Sequence, residues 1–163
     1  KSEVTEAVAA LAEDNAAMGL LPQPFVTAAM AQNENLRVAL DLTAEWDATQ
    51  EEGGSRLVTG VTIARTDFLE ENEDAVKDFL AEHEESAAFT NENPEQAAQW
   101  IAELEIVAKA PIAQKAIPAC NITCIDGNEM KDALGGYLSA LYELEPTSIG
   151  GALPADDFYY GAK

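Results

Sequence analysis

Two small groups of residues carry chemistry that the rest of the chain would have to position. The first is Leu21-Pro22-Gln23-Pro24-Phe25, reached from the apolar run Ala16–Leu21 and continuing into Phe25-Val26-Thr27-Ala28-Ala29-Met30. An apolar run bounded by turn signals reads as a buried strand. Pro24 suits a first helical turn, where an amide proton would have no partner. The pattern therefore predicts strand, tight loop and helix start. In open α/β sheets ligands bind at such a junction, and a helix start offers backbone N–H groups. A plain connection uses the same residues.

The second group is Cys120 and Cys124, in C-N-I-T-C. Extended, four residues hold the Cα atoms about 13 Å apart, whereas a disulfide needs less than about 7 Å. A turn or helix would allow the bond; otherwise they are independent thiols. Two cysteines and a single distant histidine, His83, do not make a metal site, and no cofactor is expected. His83 falls beside an apolar helical stripe, a place typical of an edge or core residue.

The positioning elements read as follows. Ser2–Asn15 is an amphipathic helix with Ser2 as cap and Val4, Val8 and Leu11 on one face. Asn33-Glu34-Asn35 is a turn, and Leu36–Leu42 a strand. Glu45–Ser55 is polar and ends in Glu51-Glu52-Gly53-Gly54-Ser55, the best linker in the chain. Arg56–Arg65 is the best strand, β-branched, with Leu57, Thr59, Val61 and Ile63 on one face. Gly60 at its middle allows a bend or close approach, or simply sits under a packed helix.

Helical patterns follow. A short one starts at Thr66, and a longer one spans Glu73–Thr90 with Val76, Phe79, Leu80, His83 and Ala87 on a stripe. The next opens at Asn93-Pro94, with Asn93 as cap, and carries Ala97, Trp100, Ile101 and Leu104. Pro111–Ile117 is short. Asp126–Leu144 has an acidic capping pattern and the pair Gly135-Gly136, which weakens it or lets another element pack close.

The 163 residues suffice for one domain or two small lobes. Thirty acidic against nine basic residues give a formal charge of -21, which disfavours nucleic acid and anionic membranes as partners. Between Thr66 and Glu105 Lys77 alone faces thirteen carboxylates, most simply a solvated face. No apolar run approaches the roughly 18 residues of a membrane span. The chain opens at Lys1 without an initiator Met and reads as a processed piece, so the lack of a leader says nothing about location.

Three blocks taken in order resemble the later half of an ABC-transporter solute-binding protein of the type II periplasmic-binding-like class. The nearest branch is the sulfonate-, nitrate- and thiamine-precursor-binding group. The blocks are A-V-A-A-L-A-E-D-N-A-A-M-G-L-L-P-Q-P-F-V, similar to that family's helix, strand and P-E-P-F-like loop; L-V-T-G-V-T-I-A-R-T-D-F-L-E-E-N-E-D-A-V-K-D-F-L, similar to its returning hinge strand and following helix; and N-E-N-P-E-Q-A-A-Q-W-I, similar to its helical C-terminal region. The ending, through G-Y-L-S-A-L-Y to L-P-A-D-D-F-Y-Y, is similar to a Gram-positive lipoprotein branch.

The resemblance implies an α/β fold of partial two-lobe architecture with a helix-rich C-terminal part. Residues 1–43 would be the latter part of the second lobe, 44–55 a linker or hinge, and 56–163 the part returning to the first lobe. It implies an extracytoplasmic, lipoprotein-anchored importer component rather than an enzyme, with a small solute and a membrane permease as partners. Leu21, Pro22, Gln23, Pro24 and Phe25, with Thr59 and Gly60, would line the cleft. Gln23 would hydrogen-bond the solute; the family's Glu is absent there, so a cation preference is not carried over. Phe25 and Thr59 fit core packing equally. An enzyme on the same scaffold, of the thiamine-precursor type, and a truncated lobe serving as an interaction domain are the alternatives. Missing sheet partners would leave edges open to pairing, including with a second copy.

Overall fold

The computed structural model describes residues 3–14, 16–50 and 55–163. It is helix-rich, and no strand occurs among the described residues. The chain divides into two compact units, one of Lys1–Val38 and Asn72–Cys124, the other of Ala39–Glu71 and Ile125–Lys163.

The first unit holds α1 (Val4–Glu13), α2 (Phe25–Gln32), α5 (Glu73–Glu92), α6 (Pro94–Glu103) and α7 (Ala110–Ala116). In α1 the expected stripe turns inward at Val8 and Leu11, both buried. Glu3 occupies its cap position and makes no cap hydrogen bond; Ser2, the expected cap, lies outside the described residues, as does Asn15. α2 packs on α1 and on α7, and its Ala29 is buried. Asn33 closes α2 and is buried. Its Nδ2 donates to the Leu11 carbonyl in the last turn of α1 at 3.1 Å, satisfying an acceptor that a helix end leaves without an internal partner.

The core of this unit is small-residue packing. Ala97 and Ala98 of α6 meet Ala113 of α7 and Ile117, with Ile101, Val107, Ala110 and Ile122 around them. Alanine lets two helices approach closely but buries little apolar area. The expected α6 stripe is only partly right. Trp100 and Leu104 are exposed, and Trp100 instead stacks on Phe89 of α5 with ring centroids 5.1 Å apart. Pro94 takes the first helical position as expected, while Asn93 makes no cap bond and turns its Nδ2 to the Phe89 carbonyl.

The second unit holds α3 (Leu42–Thr49), α4 (Thr66–Glu71) and α8 (Gly127–Leu144). Asp41 caps α3, its carboxylate accepting from the amides of Thr43 and Ala44. That cap and Leu42 overrule the strand read over Leu36–Leu42, and α3 runs through much of the stretch read as polar linker. Glu51, Glu52, Gly53 and Gly54 lie outside the described residues. Trp46 of α3 packs edge-on against Tyr137 of α8, and its Nε1 donates to the Ser55 carbonyl at 3.2 Å. Ser55 in turn lies against Gly136, so the glycine pair does admit a close neighbour. Asp126 sits at the start of α8 without a side-chain cap bond, so the capping pattern there is not used.

None of the segments read as strands, 16–21, 36–42 and 56–65, pairs with a neighbour. A strand's N–H and C=O groups need a partner strand, and alternation alone cannot supply one. Several of their apolar side chains are left in solvent: Met18 and Leu20, Val38 and Leu40, Val61 and Ile63 are all exposed, while Leu21, Leu36, Leu57 and Val58 are half-buried.

Candidate functional site

The loop before α2 is built by the helix start itself. Gln23 and Pro24 form a turn, joined by a cis peptide bond, and Pro24 occupies the cap position. Pro24 thus sits one place earlier than a first-turn proline. The Gln23 side chain folds over the first turn. Its Oε1 accepts from the Thr27 amide at 3.3 Å and from the Thr27 hydroxyl at 2.9 Å. Because an amide N–H only donates, this contact fixes which end of the Gln23 side chain points inward. Val26 and Ala28 donate to the carbonyls of Pro22 and Pro24.

The helix start therefore offers less to a ligand than its position promised. Three of its first four amides are engaged, leaving the Phe25 N–H. The Gln23 Nε2 carries no hydrogen bond among the described residues. Leu21, Gln23, Pro24 and Phe25 are half-buried and Pro22 is exposed. These five residues form one continuous loop in the first unit. Thr59 and Gly60 belong to the second unit, where both are exposed and nothing lies within 4 Å of a Cβ built on Gly60. A packed helix does not cover Gly60.

Two surface grooves in the first unit lie away from this loop. One, of about 530 Å³, runs where α5 ends and α6 begins, with Gln96 and Gln99 of α6 and Gln114 of α7 on its walls. The other, of about 210 Å³, lies between α5 and the segment after α7, beside Asn91 and Cys124. Asn91 bridges the two sides, its Nδ2 donating to the carbonyls of Ala87 and Ile122. Neither groove is legible from motifs. Gln96 and Gln99 share a helical face, but Gln114 joins them only through the packing of α7.

Cys120 and Cys124 form no disulfide, and both are half-buried. Burial pushes the Cys120 thiol pKa up, the opposite of what a reactive thiolate needs. His83 is exposed and stacks on Phe79 one turn earlier, centroids 5.6 Å apart. No cluster of three or more potential metal ligands occurs among the described residues, and no described helix is long and apolar enough to cross a membrane.

No family model, curated protein or solved structure matches the chain.

Proposed function

We propose that the chain serves as part of the extracytoplasmic solute-binding component of an ABC importer, capturing a small molecule in a cleft between two α/β lobes of the type II periplasmic-binding-like kind. The single observation that favours it is the divided Gln23 side chain. Its acceptor is committed to Thr27, while its Nε2 and the Phe25 N–H of the same loop carry no hydrogen bond among the described residues. Two N–H donors from one loop, without a cation, suit a solute bearing an acceptor oxygen: a sulfonate, nitrate, carboxylate or ring carbonyl. Closure would be a hinge motion that favours the liganded state when solute touches both lobes. The reading includes a permease as partner and a lipid anchor for location.

A thermal-shift screen with sulfonates, nitrate, bicarbonate, pyrimidines and amines tests it. A ligand at a hundredfold excess over its Kd stabilises the folded state by about 2.7 kcal/mol. The expected result is a shift with an acceptor-bearing solute that is lost in Gln23→Ala and in Gln23→Glu, which keeps the Thr27 bond but has no donor. A shift unchanged in both variants moves the site elsewhere. No shift across the panel removes the reading, and turnover of a thiamine precursor would replace it with the enzyme on this scaffold.

A second reading, an interaction domain, is favoured by the unpaired segments with exposed Met18, Leu20, Val61 and Ile63.

A further inference from the structure

The segment Leu57–Ala64 has the chemistry of a β-strand and none of its partners. It runs without helix, turn or bend, and its backbone makes no hydrogen bond among the described residues. Leu57 and Val58 are half-buried, whereas residues 59–64 are exposed on both faces, Ile63 to 81%. Native proteins blunt an edge of this kind with charge, proline or a covering element. Here eight uncharged residues, five of them Val, Thr or Ile disposed about one glycine, carry no such protection. The charges lie outside the run and are already occupied: Arg56 pairs with Glu129 at 3.0 Å and Arg65 with Asp67 at 2.6 Å.

We infer that Leu57–Ala64 is a docking strand, which accepts an extended apolar segment of a basic partner protein by β-strand addition. Main-chain hydrogen bonds would supply affinity, and Val61 and Ile63 would pack against alternate side chains of the incoming strand. Charge decides the occupant. The unit that carries the strand has fifteen carboxylates against four cations in its sequence. Two copies brought together along this segment would juxtapose two such fields, which disfavours self-pairing. With the two flanking arginines neutralised locally, the field met by an incoming segment is negative. Lysine or arginine outside its apolar core is therefore the complementary pattern. This inference does not rest on the Gln23 loop, which belongs to the other unit, and it competes with the solute reading for Thr59 and Gly60.

Hydrogen exchange on the full chain tests it. Three ten-residue peptides would be added in turn: a β-branched core with lysine at both ends, the same core with glutamate at both ends, and the chain's own residues 56–65. The expected result is at least tenfold slower exchange of the Leu57–Ala64 amides with the lysine-ended peptide and with the 56–65 peptide, which carries Arg56 and Arg65 at its ends, and no slowing with the glutamate-ended peptide. Val61→Pro and Thr62→Pro remove donors from opposite edges of the strand, so one of the two should abolish protection while helical circular dichroism is unchanged. Equal protection by the glutamate-ended peptide would overturn the charge argument. Protection that grows with protein concentration and needs no peptide would assign the strand to a second copy. Exchange unaffected by the lysine-ended peptide, or protection surviving both proline variants, would overturn strand addition itself.

Discussion

Gly136 lies so close to Ser55 that a Cβ on the glycine would fall 2.5 Å from the Ser55 Cβ and 3.1 Å from its Cα. Backbone cannot swing aside as a side-chain tip can. Gly136→Ala should therefore cost about 1–3 kcal/mol by overpacking, outweighing the gain of roughly 1 kcal/mol from alanine's better helix propensity. At the neighbouring Gly135 the nearest atom to such a Cβ is the Tyr159 hydroxyl at 3.6 Å, an ordinary contact. Gly135→Ala should stabilise by up to about 1 kcal/mol. Urea melts of the two variants should move in opposite directions.

Asn33 holds the ends of α1 and α2 together. It is buried, donates to the Leu11 carbonyl, and accepts from the amide and side chain of Asn35. Asn33→Leu leaves the Leu11 acceptor and the Asn35 donors without this partner, at about 1–3 kcal/mol. Asn33→Asp keeps the acceptor but turns a carboxylate oxygen toward the Leu11 carbonyl in a buried place, so at neutral pH it should cost at least as much as Asn33→Leu. Thermal melts of the three proteins give the order.

The Lys131–Asp156 pair gives stability a pH dependence of known sign. The Lys131 ammonium is hydrogen-bonded to Asp156 at 2.8 Å and holds that carboxyl below the usual aspartate range. A depressed folded pKa contributes stability above the unfolded value, about 3.9, and loses it as pH falls through the folded value. Asp156→Asn should therefore have a lower urea midpoint than the parent at pH 7, with the gap closing in acid below about pH 4. Comparing the two proteins cancels the relief of repulsion among the other carboxylates. The Lys77–Glu73 pair on α5, at 2.7 Å, also lowers its carboxyl's pKa and should behave with the same sign in Glu73→Gln.

Cys120 should be slow to alkylate. Burial raises its thiol pKa, so less thiolate is present near pH 8 than in an open chain. Timed iodoacetamide labelling read by mass spectrometry should show slower modification of Cys120 in the folded protein than in urea. Equal rates would mean the half-buried setting does not hold in solution.

Much of the helical order was legible in the sequence, because it is local. The spacing of Val8 and Leu11, the Pro94 start of α6 and the long pattern of α5 and α8 all reappear. α3 was missed, since its main signal is one capping aspartate, Asp41, before a mostly polar run. Caps were placed better than they were used: Asn93 and Asp126 stand at helix starts without capping them. Strands were the least legible, for a physical reason. The alternation in 56–65 states a capacity to pair, and the partner is non-local. In the candidate site the Gln23–Thr27 contact spans four residues and is readable from helix geometry. The groove beside Gln114 depends on how closely α6 and α7 approach, which no short-range pattern encodes.

The alanine seam between those two helices has a thermal consequence. Heat-capacity change on unfolding tracks the apolar surface newly exposed to water. A contact made by Ala97, Ala98 and Ala113 hides little of it per residue. The first unit should thus have a shallow, broad stability curve, whose melting enthalpy varies less with temperature than that of a leucine-rich bundle of the same length.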